Sequence, residues 1–153
     1  MNCDINRFIE DHIEMMENGN WEQIYNELRE YDVETVSHFN TLMYRVGIQP
    51  LEKMTYVPRL FLTWSPLTKI PPVPDDISRI LDMAFMESKL ESIKLPKHLE
   101  YIGSQAFAMC HNLKEIVLPN TVETIGMSAF YNCDHLERIV IGNNVKYIMD
   151  KAF

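Results

Sequence analysis

Glycine is scarce in this chain, at 5 of 153 residues. That argues against phosphate-cradling loops, and neither a Walker-type loop nor a dinucleotide fingerprint occurs. Gly-x-Ser-x-Gly and His-Glu-x-x-His are also missing, so no hydrolase or zinc-protease constellation announces itself. Cysteine is limited to Cys3, Cys110 and Cys133, too few and too unevenly placed for a disulfide scaffold. His111 beside Cys110 and His135 near Cys133 are one register apart, which is not the spacing of a zinc site. No metal and no cofactor is expected. No apolar run approaches the ~20 residues of a membrane span, and Met1 to Arg7 contains no basic stretch leading into an apolar one. A chain that stays off membranes and in the cytoplasm is the expectation.

What is present is repetition. Ala-Phe pairs occur at Ala84-Phe85, Ala106-Phe107, Ala129-Phe130 and Ala152-Phe153, spaced 22, 23 and 23 residues apart. Around them recur Leu90-x-x-Ile93-x-Leu95-Pro96, Leu113-x-x-Ile116-x-Leu118-Pro119 and Leu136-x-x-Ile139-x-Ile141-Gly142. Leu99-x-x-Ile102, Val122-x-x-Ile125 and Val145-x-x-Ile148 follow the same period, as do Cys110 and Cys133. A fixed period of this length marks a stack of like supersecondary units, each burying its apolar side against its neighbours. Such a stack favours a rigid binding surface over an enclosed catalytic pocket.

The full phrase, Leu-x-x-Ile-x-Leu-Pro-x-x-Val-x-x-Ile-Gly-x-x-Ala-Phe-x-x-Cys-x-x-Leu, resembles the BspA-like class of leucine-rich repeats. It is nearly complete from Leu90 to Cys110 and from Leu113 to Cys133. A poorer copy precedes these at Leu67, Ile70, Pro71, Ile77, Ile80, Ala84 and Phe85. One period further back, Met54, Val57, Leu62 and Trp64 form a decayed half-repeat. The resemblance, over about residues 54–153, implies an α+β chain ending in a short leucine-rich-repeat β-solenoid of 23-residue period. Many proteins of this class lie at cell surfaces, so the reading as cytoplasmic departs from that pattern.

Charge divides the chain. Residues 1–48 carry ten acids and three bases, a balance of −7, whereas 49–153 carry twelve acids and eleven bases. The acidic segment repels nucleic acid and anionic membranes and attracts basic partners. It reads as three helices. Phe8, Ile9, Ile13, Met15 and Met16 form the apolar side of the first, which ends near Asn18-Gly19. Asn20 with Gln23 suggests a capping box for the second, striped by Trp21, Ile24, Tyr25 and Leu28. Asp32 caps a third, with Val36, Phe39, Met43 and Val46 on one face and Gly47 at its end. Glu10, Glu14 and Glu17 make a carboxylate row on the first helix, either a solvated outer face or a docking face for a basic partner. Three regions are expected: an acidic helical cap at 1–48, a proline-punctuated bridge or degenerate repeat at 49–66, and the repeats at 67–153.

Alternation within each repeat sets Leu90, Ile93 and Leu95 inward, and Ser92 and Lys94 outward. Stacking then aligns Lys69, Ser92, Glu115 and Arg138 in one outward column and Pro71, Lys94, Val117 and Val140 in another. Ser92, Lys94, Glu115, Val117, Arg138 and Val140 are the candidate partner-binding face. Tyr101, Thr124 and Tyr147 form a second column, either interface anchors or a shield for the sheet. Cys110 and Cys133 read as buried structural thiols, Cys3 as the exposed one, and Asp75-Asp76 as a polar turn between coils.

No catalytic role is expected. The leading expectation is a protein-binding module, a small inhibitor or adaptor of the kind carried by phages or mobile elements, which occludes a partner protein. One alternative is an acidic mimic occupying a basic groove meant for nucleic acid, without binding nucleic acid itself. Another is a structural subunit assembling through an open end. Ile139, Ile141, Ile148 and Phe153 in the last coil suggest a homodimer formed through that coil.

Overall fold

A computed structural model describes residues 4–153. Three helices come first: α1 (Ile5–Glu17), α2 (Trp21–Leu28) and α3 (Val33–Arg45). Seven short strands follow: β1 (Tyr56–Val57), β2 (Arg79–Ile80), β3 (Tyr101–Ile102), β4 (Glu115–Val117), β5 (Thr124–Ile125), β6 (Arg138–Val140) and β7 (Tyr147–Ile148). All pairing is parallel. One sheet runs β1-β2-β3-β5-β7 and the other is the pair β4-β6. Every register shift is one repeat: Tyr56 faces Arg79, Tyr101 faces Thr124, and Glu115 faces Arg138.

The Ala-Phe phrase builds a third line of contact between repeats. The Met83, Phe85 and Glu87 N–H groups donate to the Ser104, Ala106 and Ala108 carbonyls. Gln105, Phe107 and Met109 repeat this onto Met127, Ala129 and Tyr131. The turn is possible because two positions in each phrase are left-handed, such as Met83 (φ 57°) with Glu87 (φ 54°) and Gln105 (φ 55°) with Met109 (φ 56°). Those positions cost strain in a non-glycine residue, which the inter-repeat bonds offset. Within the repeats glycine serves a different purpose. A Cβ on Gly126 would sit 2.6 Å from the Gly103 carbonyl carbon, so its absence lets adjacent repeats close. The phenylalanines themselves stack: Phe85 on Phe107 at 5.1 Å, Phe107 on Phe130 at 5.3 Å, and Phe130 on Phe153 at 5.6 Å, all nearly parallel.

The helices join the same apolar core, one cluster running from Phe8 to Ala152. Phe61 is the hinge of that join, edge-on to Tyr44 and Phe85 and tilted against Tyr25. Leu62 holds the backbone place of a repeat phenylalanine, its N–H donating to Ala84, while Phe61 supplies the ring. Asn40 is fully buried here: its Nδ2 donates to the Val36 and Phe61 carbonyls, and its Oδ1 accepts from the Tyr25 hydroxyl.

Several local expectations change. Asn20 precedes α2, but its side chain makes no capping bond, so there is no capping box; Asp32 does cap α3 by accepting from the Thr35 N–H at 2.8 Å. Ile13 and Val46 are exposed, and the buried face of α1 is Phe8 with His12. His12 replaces an apolar stripe residue because both ring nitrogens are bonded, Nδ1 to the Phe8 carbonyl and Nε2 to Glu27, each at 2.7 Å. The outward columns of four do not form a continuous ladder: Lys69, Pro71, Ser92 and Lys94 lie outside the strands. Pro71, Pro72 and Pro74 have no N–H to contribute, and isolated bonds such as Val73 N–H to Lys94 take over.

Candidate functional site

The β4-β6 ladder carries the candidate face. Glu115 and Arg138 pair across it as an exposed ion pair. Val117 lies opposite Val140 and is 50% exposed, although the alternating residue Ile116 is buried. Ser92 and Lys94, from the preceding repeat, join Glu115 and Val117 round one groove of about 420 Å³. Its floor includes Ile93, Leu95 and Pro119. The structure therefore gathers Ser92, Lys94, Glu115 and Val117 at one opening, with Arg138 and Val140 on the adjoining strand.

Lys97 also lines that groove and escaped the sequence reading. Its Nζ lies 2.9 Å from Asp75, and its backbone N–H donates to the same carboxylate at 3.0 Å. That backbone bond first, and the lysine side chain second, hold the Asp75 carboxyl below its usual range. The signal was available: Asp75 and Lys97 are one repeat apart, so the carboxylate and the ammonium stack.

The longer sheet displays Tyr56, Arg79, Tyr101, Thr124 and Tyr147 in register. Arg79 lies over the Tyr101 ring at 4.8 Å, and Tyr147 is 61% exposed. The sequence reading found Tyr101, Thr124 and Tyr147 but not the start of the column at Tyr56 and Arg79, where the repeat phrase is poorest.

Glu10, Glu14 and Glu17 are exposed on α1, and no ion pair joins them to any described residue. α1 packs mainly on α2, so this row stands on a different element from both ladders.

The thiols are structural. Cys110 Sγ donates to the Phe85 carbonyl and Cys133 Sγ to the Phe107 carbonyl, each at 3.0 Å. Burial pushes the Cys110 thiol up to about 12 and raises Cys133 as well, so both stay protonated at neutral pH. Neither is an activated nucleophile. His135 reaches the His111 backbone carbonyl, so their contact runs through the backbone and not ring to ring. Among the described residues no group of three His, Cys, Asp or Glu side chains is placed to hold a metal. Cys3 lies outside the described residues. No helix among them is long and apolar enough to cross a membrane.

Residues 59–153 match the model of the BspA type leucine rich repeat region, in six copies. No curated protein matches the chain. Among solved structures, the pneumococcal vaccine antigen PcpA is similar, with 28% identity and a TM-score of 0.52 over 61% of this chain. The chain spans about 25% of the length of that protein.

Proposed function

Since this chain belongs to the BspA-type leucine-rich repeat family, we propose that it is a non-catalytic protein-binding module. In this reading the repeats form a short solenoid, the N-terminal helices cap its first coil, and the outer face of the β4-β6 ladder occludes a site on a partner, as a small inhibitor or adaptor would. The observation that carries the reading is Val117, half exposed beside Val140 on a rigid ladder and ringed by Lys94, Lys97, Glu115 and Arg138. An apolar centre with a charged rim is the anatomy of a protein interface. It fits a partner that offers a small apolar protrusion among charges of both signs. Glu10, Glu14 and Glu17 would steer a partner's basic surface during encounter, an effect on association rate. Unpaired, high-pKa thiols at Cys110 and Cys133 suit a reducing compartment.

A photo-crosslinking side chain at position 117, used in the cells of origin, should capture one specific protein. With that protein purified, Val117→Asp should weaken binding by about ten-fold or more while thermal unfolding stays unchanged. Unaltered affinity for both Val117→Asp and Lys94→Glu would place the interface elsewhere.

A further inference from the structure

Residues of α2 and α3 and of the segment from Tyr56 to Leu60 enclose a cavity of about 320 Å³. Its walls include the buried residues Leu28 and Val36, the half-buried residues Leu60 and Leu81, and the rings of Tyr31 and Tyr56. The size falls within the range of pockets that hold an organic ligand or an anchoring side chain. Arg29 and Arg59 also line it, and both are exposed. Among the described residues, neither guanidinium has an ion pair or a side-chain hydrogen bond. Two unpaired arginines therefore stand at an apolar cavity, Arg29 from the acidic segment 1–48 and Arg59 from the nearly neutral remainder of the chain. The chain's net charge of −8 does not describe this spot.

The cavity does not end at its own walls. Tyr56 belongs both to it and to the outward column of the longer sheet, which continues as Arg79, Tyr101, Thr124 and Tyr147. At the usual strand spacing this column is about 19 Å long, the reach of roughly six extended residues. Arginine and tyrosine are the side chains that most often carry binding energy.

We propose that this cavity anchors an extended segment of a partner protein in which an apolar side chain is flanked by carboxylates. The apolar side chain fills the cavity, the carboxylates meet the Arg29 and Arg59 forks, and the rest of the segment runs along the tyrosine–arginine column. Guanidinium forks bind carboxylates in bidentate fashion. The neighbouring apolar wall strengthens that attraction by lowering the local dielectric. The site is separate from the groove at Val117, so each stands or falls alone.

The test uses the full chain and labelled hexapeptides with a central Leu or Phe, flanked either by Asp and Glu or by Lys, read by fluorescence anisotropy. The acid-flanked peptides should bind at least about ten-fold more tightly than the lysine-flanked ones. Arg29→Glu and Arg59→Glu should each remove that preference, and Leu81→Trp should weaken binding by filling the cavity. Val117→Asp should leave it unchanged. No binding by any peptide, equal binding of both sets, or indifference to both arginine reversals would overturn the proposal. Saturation by free 4-phenylbutyrate with the same affinity as the peptides would overturn it too, reassigning the cavity to a small organic acid.

Discussion

In the repeats, Cys110 donates to Phe85 and Cys133 to Phe107 through the same pair of atoms; in the helices, Asn40 instead joins the Val36 and Phe61 carbonyls and the Tyr25 hydroxyl at one place. The same contrast runs through the two regions. Phe85, Phe107 and Phe130 repeat one stacking geometry, whereas Phe8 meets His12 face-on and Tyr31 and Phe39 edge-on. Repetition spreads stability over like contacts, so the outer surface is free to vary. The helices concentrate it in single contacts, and Asn40 ties α2 and α3 to the segment at Phe61. A rigid face built from repeats thus depends, at one end, on a junction that is not repeated.

The largest effect should come from breaking the phenylalanine stack. Phe107→Ala removes a fully packed ring held between two others and should cost about 3–5 kcal/mol by urea unfolding. A loss below about 1 kcal/mol would mean that the stack is not the repeats' main support. Next comes the junction. Asn40→Leu keeps the branched shape with bulkier ends and orphans the Phe61 carbonyl and the Tyr25 hydroxyl, which should cost about 2–4 kcal/mol.

His12 sharpens the helical side of the comparison through pH. Burial lowers its pKa, but the Glu27 bond and the Phe8 carbonyl outweigh burial, and the net value is raised. Both nitrogens face acceptors, so the bonded form is the cation. A raised folded-state pKa contributes stability that is complete below the unfolded value of 6.5 and is lost as pH rises through the folded one. Chemical unfolding from pH 5 to 9 should show that loss, and His12→Phe should abolish it. At acid pH, His12→Phe should itself cost about 1–2 kcal/mol, since Glu27 is partly exposed. The smallest effects belong to the caps. Asp32→Ala should cost about 1 kcal/mol, whereas Asn20→Ala, which loses no side-chain bond, should cost less than about 0.5 kcal/mol.

The repeats were the legible part of the sequence because each contact is written several times. Val122 and Ile125 are buried for the reason that Leu99 and Ile102 are, and one register predicts both. Single contacts left no such trace. The α1 stripe named Ile13, yet His12 is buried because Glu27, fifteen residues away, completes its bonding. The capping-box pattern at Asn20 was present, but the backbone there (ψ 47°) is not in the extended conformation seen at Asp32. At the candidate site, Ser92, Lys94, Glu115 and Val117 followed from alternation. Lys97, and the cavity at Arg29 and Arg59, depend on turns and on helix packing that period alone does not encode.

Native-state hydrogen exchange tests most directly whether helices and repeats act as one body, the condition for a rigid binding face. The Val36 amide reports α3, and the Phe107 and Gly126 amides report the repeats. In the wild-type chain these amides should open with one common free energy, and Asn40→Leu should lower all of them together. If Asn40→Leu weakens protection at Val36 alone and leaves Phe107 and Gly126 as before, the two regions are separate bodies and the shared core does not hold them together.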